Sequence, residues 1–194
     1  MNPTIPYGLS THLNNNARVF TPTLGWTSYL SGFLYNKNII EYVGIDVIPK
    51  VCNNTRKLSI KHKVENNIIC RPSEDVYKDN MFLKKYKEYF DFIFFSPPYY
   101  QLELYKGEKQ STNKYKTYEE WLDKYWDKTI KLCHHTLKQD KLMIYIISGY
   151  IFNKKLINLD KDMNKITELN GFKLLKSVNT VSYTHLRAHE TRHD

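Results

Sequence analysis

The chain has 194 residues, 41% hydrophobic and 14% aromatic, enough for a sizeable core in one domain. Its 29 Lys and Arg against 20 Asp and Glu give a net charge of +9, a bias that favours a polyanionic partner. Cys52, Cys70 and Cys133 are odd in number and far apart, which argues against a disulfide framework or a four-cysteine zinc site. No apolar run is long enough to cross a membrane and no signal segment opens the chain, so a soluble, unexported, cytoplasmic protein is expected.

In chain order, the pattern predicts a strand over Arg18–Thr21, a turn over Pro22–Gly25 and a helix from about Trp26 to Tyr35. Gly25 lets backbone approach a ligand closely, and the helix start that follows presents free N–H groups. A second strand, Glu41–Asp46, ends in a carboxylate about twenty residues beyond that glycine, where nucleotide-binding α/β folds grip ribose hydroxyls. A helix from Pro49, a strand over Asn67–Cys70 and a polar segment, Ser73-Glu74-Asp75, come next. Asp91–Phe95 is a short apolar run of the kind that forms a buried strand, and it ends in Ser96-Pro97-Pro98-Tyr99.

Those two prolines stop the ladder and fix φ, so the turn is rigid. It holds the Ser96 hydroxyl and the Pro97 carbonyl in fixed directions, with the Tyr99 ring beside them. Two acceptors on the two N–H groups of an exocyclic base amine would draw its nitrogen toward tetrahedral geometry and aim its lone pair at an electrophile. Between Tyr100 and Lys116 lies a long stretch without core periodicity, carrying Lys106, Lys109, Lys114 and Lys116 as candidate phosphate contacts. The remainder predicts an amphipathic helix over Thr117–Leu137 with Thr117 and Glu120 as a capping box, and a core strand over Met143–Ile147. A helix over Asp160–Leu169, a stop at Gly171 and an outer strand over Phe172–Val178 complete the series. This alternation implies an α/β architecture, a doubly wound, mostly parallel sheet with helices on both faces.

The Ser-Pro-Pro-Tyr turn resembles motif IV of the S-adenosylmethionine-dependent DNA amino-methyltransferases, which methylate adenine N6 or cytosine N4. The Ser form is more similar to the cytosine-N4 members. The resemblance runs roughly from Arg18 to Ser148 and implies a Rossmann-like class I methyltransferase fold with S-adenosylmethionine as cofactor and DNA as partner. It implies that Ser96, Pro97, Pro98 and Tyr99 are catalytic. Thr21, Pro22, Leu24, Gly25, Asp46 and one of Ser73 and Glu74 would hold the cofactor, Asp46 at the ribose and Ser73 or Glu74 at the adenine. The chain departs from the family at Thr21, where an acidic residue is common, and at Gly25-Trp26-Thr27, which replaces a run with two glycines.

At the carboxyl end, His189-Glu190-Thr191-Arg192-His193 matches the H-E-x-x-H pattern of zinc proteases. No helix of useful length precedes it and no chain follows to supply a third ligand, so no metal site is expected. The stretch from Ser182 resembles translated sequencing-adapter DNA, which divides the chain into a partial catalytic domain over 1–181 and a non-native tail over 182–194. Removing that tail takes out Arg187, Arg192, Glu190 and Asp194, and the net charge stays +9. The resemblance then implies an incomplete closing hairpin and a missing target-recognition segment or partner subunit. The alternative function is a non-catalytic nucleic-acid-binding relative, and RNA or protein amines remain open as substrates.

Overall fold

The computed structural model describes residues 2–62, 64–102, 110–152 and 155–178. The first half comprises α1 (Thr4–Ser10), β1 (Ala17–Thr21), α2 (Ser28–Phe33), β2 (Ile39–Asp46), α3 (Pro49–Lys61), β3 (Glu65–Cys70), α4 (Ser73–Val76), α5 (Asn80–Lys85) and β4 (Phe90–Phe95). The second half comprises α6 (Ser111–Lys114), α7 (Tyr118–Trp121), α8 (Asp127–Thr136), β5 (Leu137–Tyr145), β6 (Tyr150–Phe152), β7 (Lys155–Ile157) and α9 (Leu159–Leu169). Strands β1 to β5 form one parallel sheet in the order β3-β2-β1-β4-β5, and β6 and β7 pair as a separate antiparallel hairpin. The strand order reverses between β1 and β4, and in open parallel sheets a crevice forms there, beyond the carboxyl ends of the strands.

β4 explains why both faces of the sheet are covered. Phe92, Ile93, Phe94 and Phe95 are all 0% exposed, and successive strand side chains point to opposite faces. On one face Phe94 packs against Tyr29 and Phe33 of α2, with ring centroids 5.1 Å and 6.1 Å away. On the other Phe95 meets Trp126, at 5.8 Å, just before α8. Helix contacts divide accordingly into one group of α1, α2 and α3 and another of α4, α5, α8 and α9. Each aromatic ring so buried contributes on the order of 1.5–3 kcal/mol, which makes β4 the anchor of the fold.

The predicted helix over Thr117–Leu137 is one helical path from Tyr118 to Thr136, interrupted by a π-helical turn over Leu122–Trp126. Only half of the capping box forms. Thr117 Oγ1 accepts the Glu120 N–H at 3.1 Å, while the Glu120 carboxylate accepts the N–H of Lys116, at 2.9 Å, instead of that of Thr117. Thr117→Ala is therefore expected to lower stability by about 1 kcal/mol, read as a lower midpoint in a thermal melt.

Three expectations are corrected. The helix predicted from Trp26 begins at Ser28, because Trp26 and Thr27 take left-handed backbone angles (φ 56° and 73°). β5 begins at Leu137, six residues before the predicted Met143, although its pairing with Phe92–Phe95 falls on Leu142–Tyr145. Phe172–Val178 is not a strand: Leu174, Leu175 and Val178 are exposed, and Phe172 packs edge-on against His134 at 5.4 Å. Alternation alone does not make a strand without a neighbour to pair with, and among the described residues nothing pairs with the outer edge of β5.

Candidate active site

A cleft of about 460 Å³ opens at the reversal point, bounded by the chain segments that leave β1, β2, β3 and β4. It brings together, from distant parts of the sequence, Pro22, Gly25, Asp46, Ser73, Glu74, Ser96, Pro98 and Tyr99.

Three elements fix Ser96. Its N–H donates to the Tyr29 hydroxyl of α2 at 3.0 Å, its carbonyl accepts from Thr23 Oγ1 at 2.9 Å, and its own hydroxyl donates to the Ile146 carbonyl at 3.1 Å. The side-chain proton is thus committed beyond the end of β5, and the oxygen keeps its lone pairs as acceptors. Pro97 is buried and, unlike Ser96, Pro98 and Tyr99, is not among the residues that line the cleft; no peptide bond among the described residues is cis. Tyr99 is half-buried and meets Tyr150 of the hairpin edge-on, with ring centroids 6.3 Å apart. Tyr29→Phe leaves the Ser96 N–H without its acceptor, and a loss of about 1 kcal/mol is expected in urea unfolding.

The turn after β1 is held in an uncommon shape, with Gly25, Trp26 and Thr27 all at positive φ (51°, 56° and 73°). Glycine is required at the first of these, since a Cβ on Gly25 would stand 2.1 Å from the Tyr29 ring. Thr27 adopts the left-handed conformation despite its branched side chain, and its hydroxyl lies 3.0 Å from that of Thr55 on α3. Trp26, 59% exposed, lines the cleft mouth.

Two of the predicted cofactor residues do not reach the cleft with their side chains. Thr21 is fully buried, its hydroxyl 2.7 Å from that of Tyr42, so it serves the core. Leu24 is also fully buried, and only its N–H bears on the site, donating to Asp46 Oδ2 at 3.2 Å. Asp46 Oδ1 accepts from the Ile48 N–H at 2.9 Å. Burial raises the Asp46 carboxyl above the usual carboxylate range, against the pull of the Ile48, Leu24 and Val47 amides.

Ser73 and Glu74, which the sequence leaves as alternatives, are separated by their bonding. The Ser73 hydroxyl is engaged by that of Thr129, 2.6 Å away on α8. Glu74 is 1% exposed; its Oε1 accepts from Lys114 Nζ at 3.2 Å and from the Tyr115 hydroxyl at 3.1 Å, whereas its Oε2 is buried with no partner among the described residues. Burial and the neighbouring Glu74 charge push the Tyr115 phenol up to about 12.

Lys114 also reaches Asp75, at 3.4 Å. Burial opposes its charge, but Tyr115 and Glu74 outweigh that and raise its pKa. Predicted as a phosphate contact, it is instead paired with acids at the cleft edge. Lys116 is exposed, its ammonium 3.2 Å from the Asn113 carbonyl. Lys106 and Lys109 lie outside the described residues, as do the segment from Ser182 and its His189, Glu190 and His193. Among the described residues no group of His, Cys, Asp and Glu has the arrangement of a metal site, the three cysteines are free, and no helix is long and apolar enough to cross a membrane.

Sequence reasoning did not single out Tyr29, Thr23 or Trp26. The Gly25–Tyr29 spacing of one helical turn was the available signal for the first, but its partner Ser96 lies 67 residues away.

No family model and no curated protein matches this sequence. Solved structures do match in fold. The chain superposes on the [4+2]-cyclase SpnF with a TM-score of 0.59 at 13% identity, over 89% of this chain and 58% of that one. It superposes on an S-adenosylmethionine-dependent methyltransferase from Agrobacterium tumefaciens with a TM-score of 0.54 at 9% identity, over 87% of this chain and 48% of that one. The Haloferax volcanii complex of the Trm112 methyltransferase activator with a putative methyltransferase gives 0.55 at 11% identity, over 87% and 67%. The fold is that of the class I methyltransferases. Because one of these neighbours is named as a cyclase, the shared fold leaves the reaction to be argued from the site.

Proposed function

We propose that this chain transfers a methyl group from S-adenosylmethionine to the exocyclic amine of a DNA base, cytosine N4 in preference to adenine N6. The base would be turned out of the duplex into the cleft. Ser96 carries the reading. Its hydroxyl proton is held by the Ile146 carbonyl, and its oxygen stands as an acceptor in the same cleft as Asp46 and Glu74. Serine at the first turn position favours cytosine, by resemblance to the N4 members of the family.

The residues fit the cofactor on one observation in particular. Among the described residues Glu74 Oε2 is a buried acceptor with no donor, and the amino group of an adenine would supply one. Asp46 would take the ribose hydroxyls, Gly25 would allow close approach of backbone, and Pro22 would line the same wall. S-adenosylmethionine, when bound, supplies an electrophilic methyl group on a sulfonium centre. Ser96 Oγ and the Pro97 carbonyl accept from the two N–H groups of the target amine and aim its lone pair, while Tyr99 stacks on the base, an interaction worth roughly 1–3 kcal/mol. The net charge of +9 and exposed Lys116 suit a phosphate backbone.

The test is mass spectrometry of nucleosides from the DNA of cells expressing the chain. N4-methylcytosine above the level of a Ser96→Ala control is the expected result. N6-methyladenine in its place would overturn the base preference, and no modified base from a chain that calorimetry shows to bind S-adenosylhomocysteine would overturn methyl transfer in favour of the non-catalytic relative.

A further inference from the structure

We propose that Tyr125 is a second polar contact to the cofactor's purine, its hydroxyl donating to the ring nitrogen adjacent to the amino group that Glu74 accepts. The inference rests on the cofactor reading above and adds to it a residue that periodicity marks only as a core position and that the family resemblance does not mark. Tyr125 stands in the π-helical turn over Leu122–Trp126, and such turns are frequent at functional sites. Trp121 precedes the wide turn, Tyr125 and Trp126 lie within it and Ile130 follows it, all four buried. The Tyr125 ring packs on Trp121, centroids 5.1 Å apart, and it lines the same cleft as Glu74, Asp46 and Tyr29.

Among the described residues the Tyr125 hydroxyl and Glu74 Oε2 are both sealed from water without a hydrogen-bond partner. Buried polar atoms in native proteins are nearly always paired, and two such atoms in one cleft point to a ligand that completes both. Burial, reinforced by the negative charges of Glu74 and Asp46, pushes the phenol well above its usual range, so it remains an O–H donor. A carboxylate acceptor and a phenol donor on the wall of one cleft fit a ligand edge with an amino donor next to a ring-nitrogen acceptor. A 6-aminopurine presents that pair on either side of its amino group. A 6-oxopurine turns a carbonyl toward the carboxylate and is disfavoured.

The experiment is isothermal titration of the full chain with S-adenosylhomocysteine, its 1-deaza and 7-deaza analogues, and the inosine analogue. Wild type is expected to bind the parent compound, to lose about 5–10-fold with one of the two deaza analogues, and to reject the inosine analogue. Tyr125→Phe should bind the parent about 5–10-fold more weakly and treat the parent and that deaza analogue alike. A variant that binds as wild type does, or that keeps the discrimination, overturns the inference. If Tyr125→Phe does not fold, wild type decides alone, and equal affinity for the parent and both deaza analogues overturns it. Wild type that fails to bind S-adenosylhomocysteine overturns the cofactor reading itself, a result distinct from either of these.

Discussion

Ser96→Ala is expected to slow methyl transfer by about 10²–10³-fold while leaving S-adenosylhomocysteine affinity within a factor of about two, the pattern of a group that acts on the reacting amine alone. The substitution is clean, because two of the three bonds that place residue 96 come from its main chain. The N–H to Tyr29 and the carbonyl to Thr23 survive in alanine, so the Pro97-Pro98 corner keeps its direction. What disappears is one acceptor, together with the 3.1 Å bond to the Ile146 carbonyl. The Pro97 carbonyl remains, so one of the amine's two N–H groups keeps its partner and some rate persists. The measurement is single-turnover methyl transfer beside a calorimetric titration. Equal rates for wild type and variant would remove Ser96 from the chemistry, and a matching loss of cofactor affinity would make its role structural.

How much of this was legible before the fold was known depended on how local each cause is. The apolar run Asp91–Phe95 forms a strand because its residues tolerate burial on both faces, and that reads directly from the sequence. The position of Asp46 at the carboxyl end of β2, on the cleft wall, was legible for the same reason. Thr21 was misplaced because its partner, Tyr42, lies across the sheet on β2, and spacing along β1 carries no trace of it. Lys114 read as a free cation in a basic loop, yet the acids that engage it sit 39 and 40 residues earlier. Thr27 hid a left-handed turn under a residue that seldom adopts one. Tyr125 fits a helical core stripe by period, and only the folded chain shows that it also lines the cleft with Glu74.

Asp46→Ala is expected to weaken S-adenosylhomocysteine binding by about 10²-fold, since hydrogen bonds to a charged group contribute roughly 1.5–3 kcal/mol each and two ribose hydroxyls are at stake. The apo protein is not indifferent to the change either, because alanine takes away the acceptor of the Leu24 and Ile48 N–H groups. The pH dependence separates these two roles by sign. Burial raises the folded-state pKa of Asp46 above the ordinary 3.8, so the folded chain holds this proton more tightly than the unfolded chain does. The contribution of Asp46 to stability therefore falls as pH rises through the interval between 3.8 and that raised value. Ligand affinity moves the other way, because ribose hydroxyls donate to the charged form and strengthen as the proton leaves. On the proposed reading, a bound nucleoside would supply two donors to a carboxylate whose charged form burial otherwise disfavours. Titrations upward from about pH 4 should show wild-type affinity climbing with pH to a plateau, with Asp46→Ala flat throughout. A wild-type profile as flat as the variant's would take Asp46 out of the cofactor site and leave it only its two backbone partners.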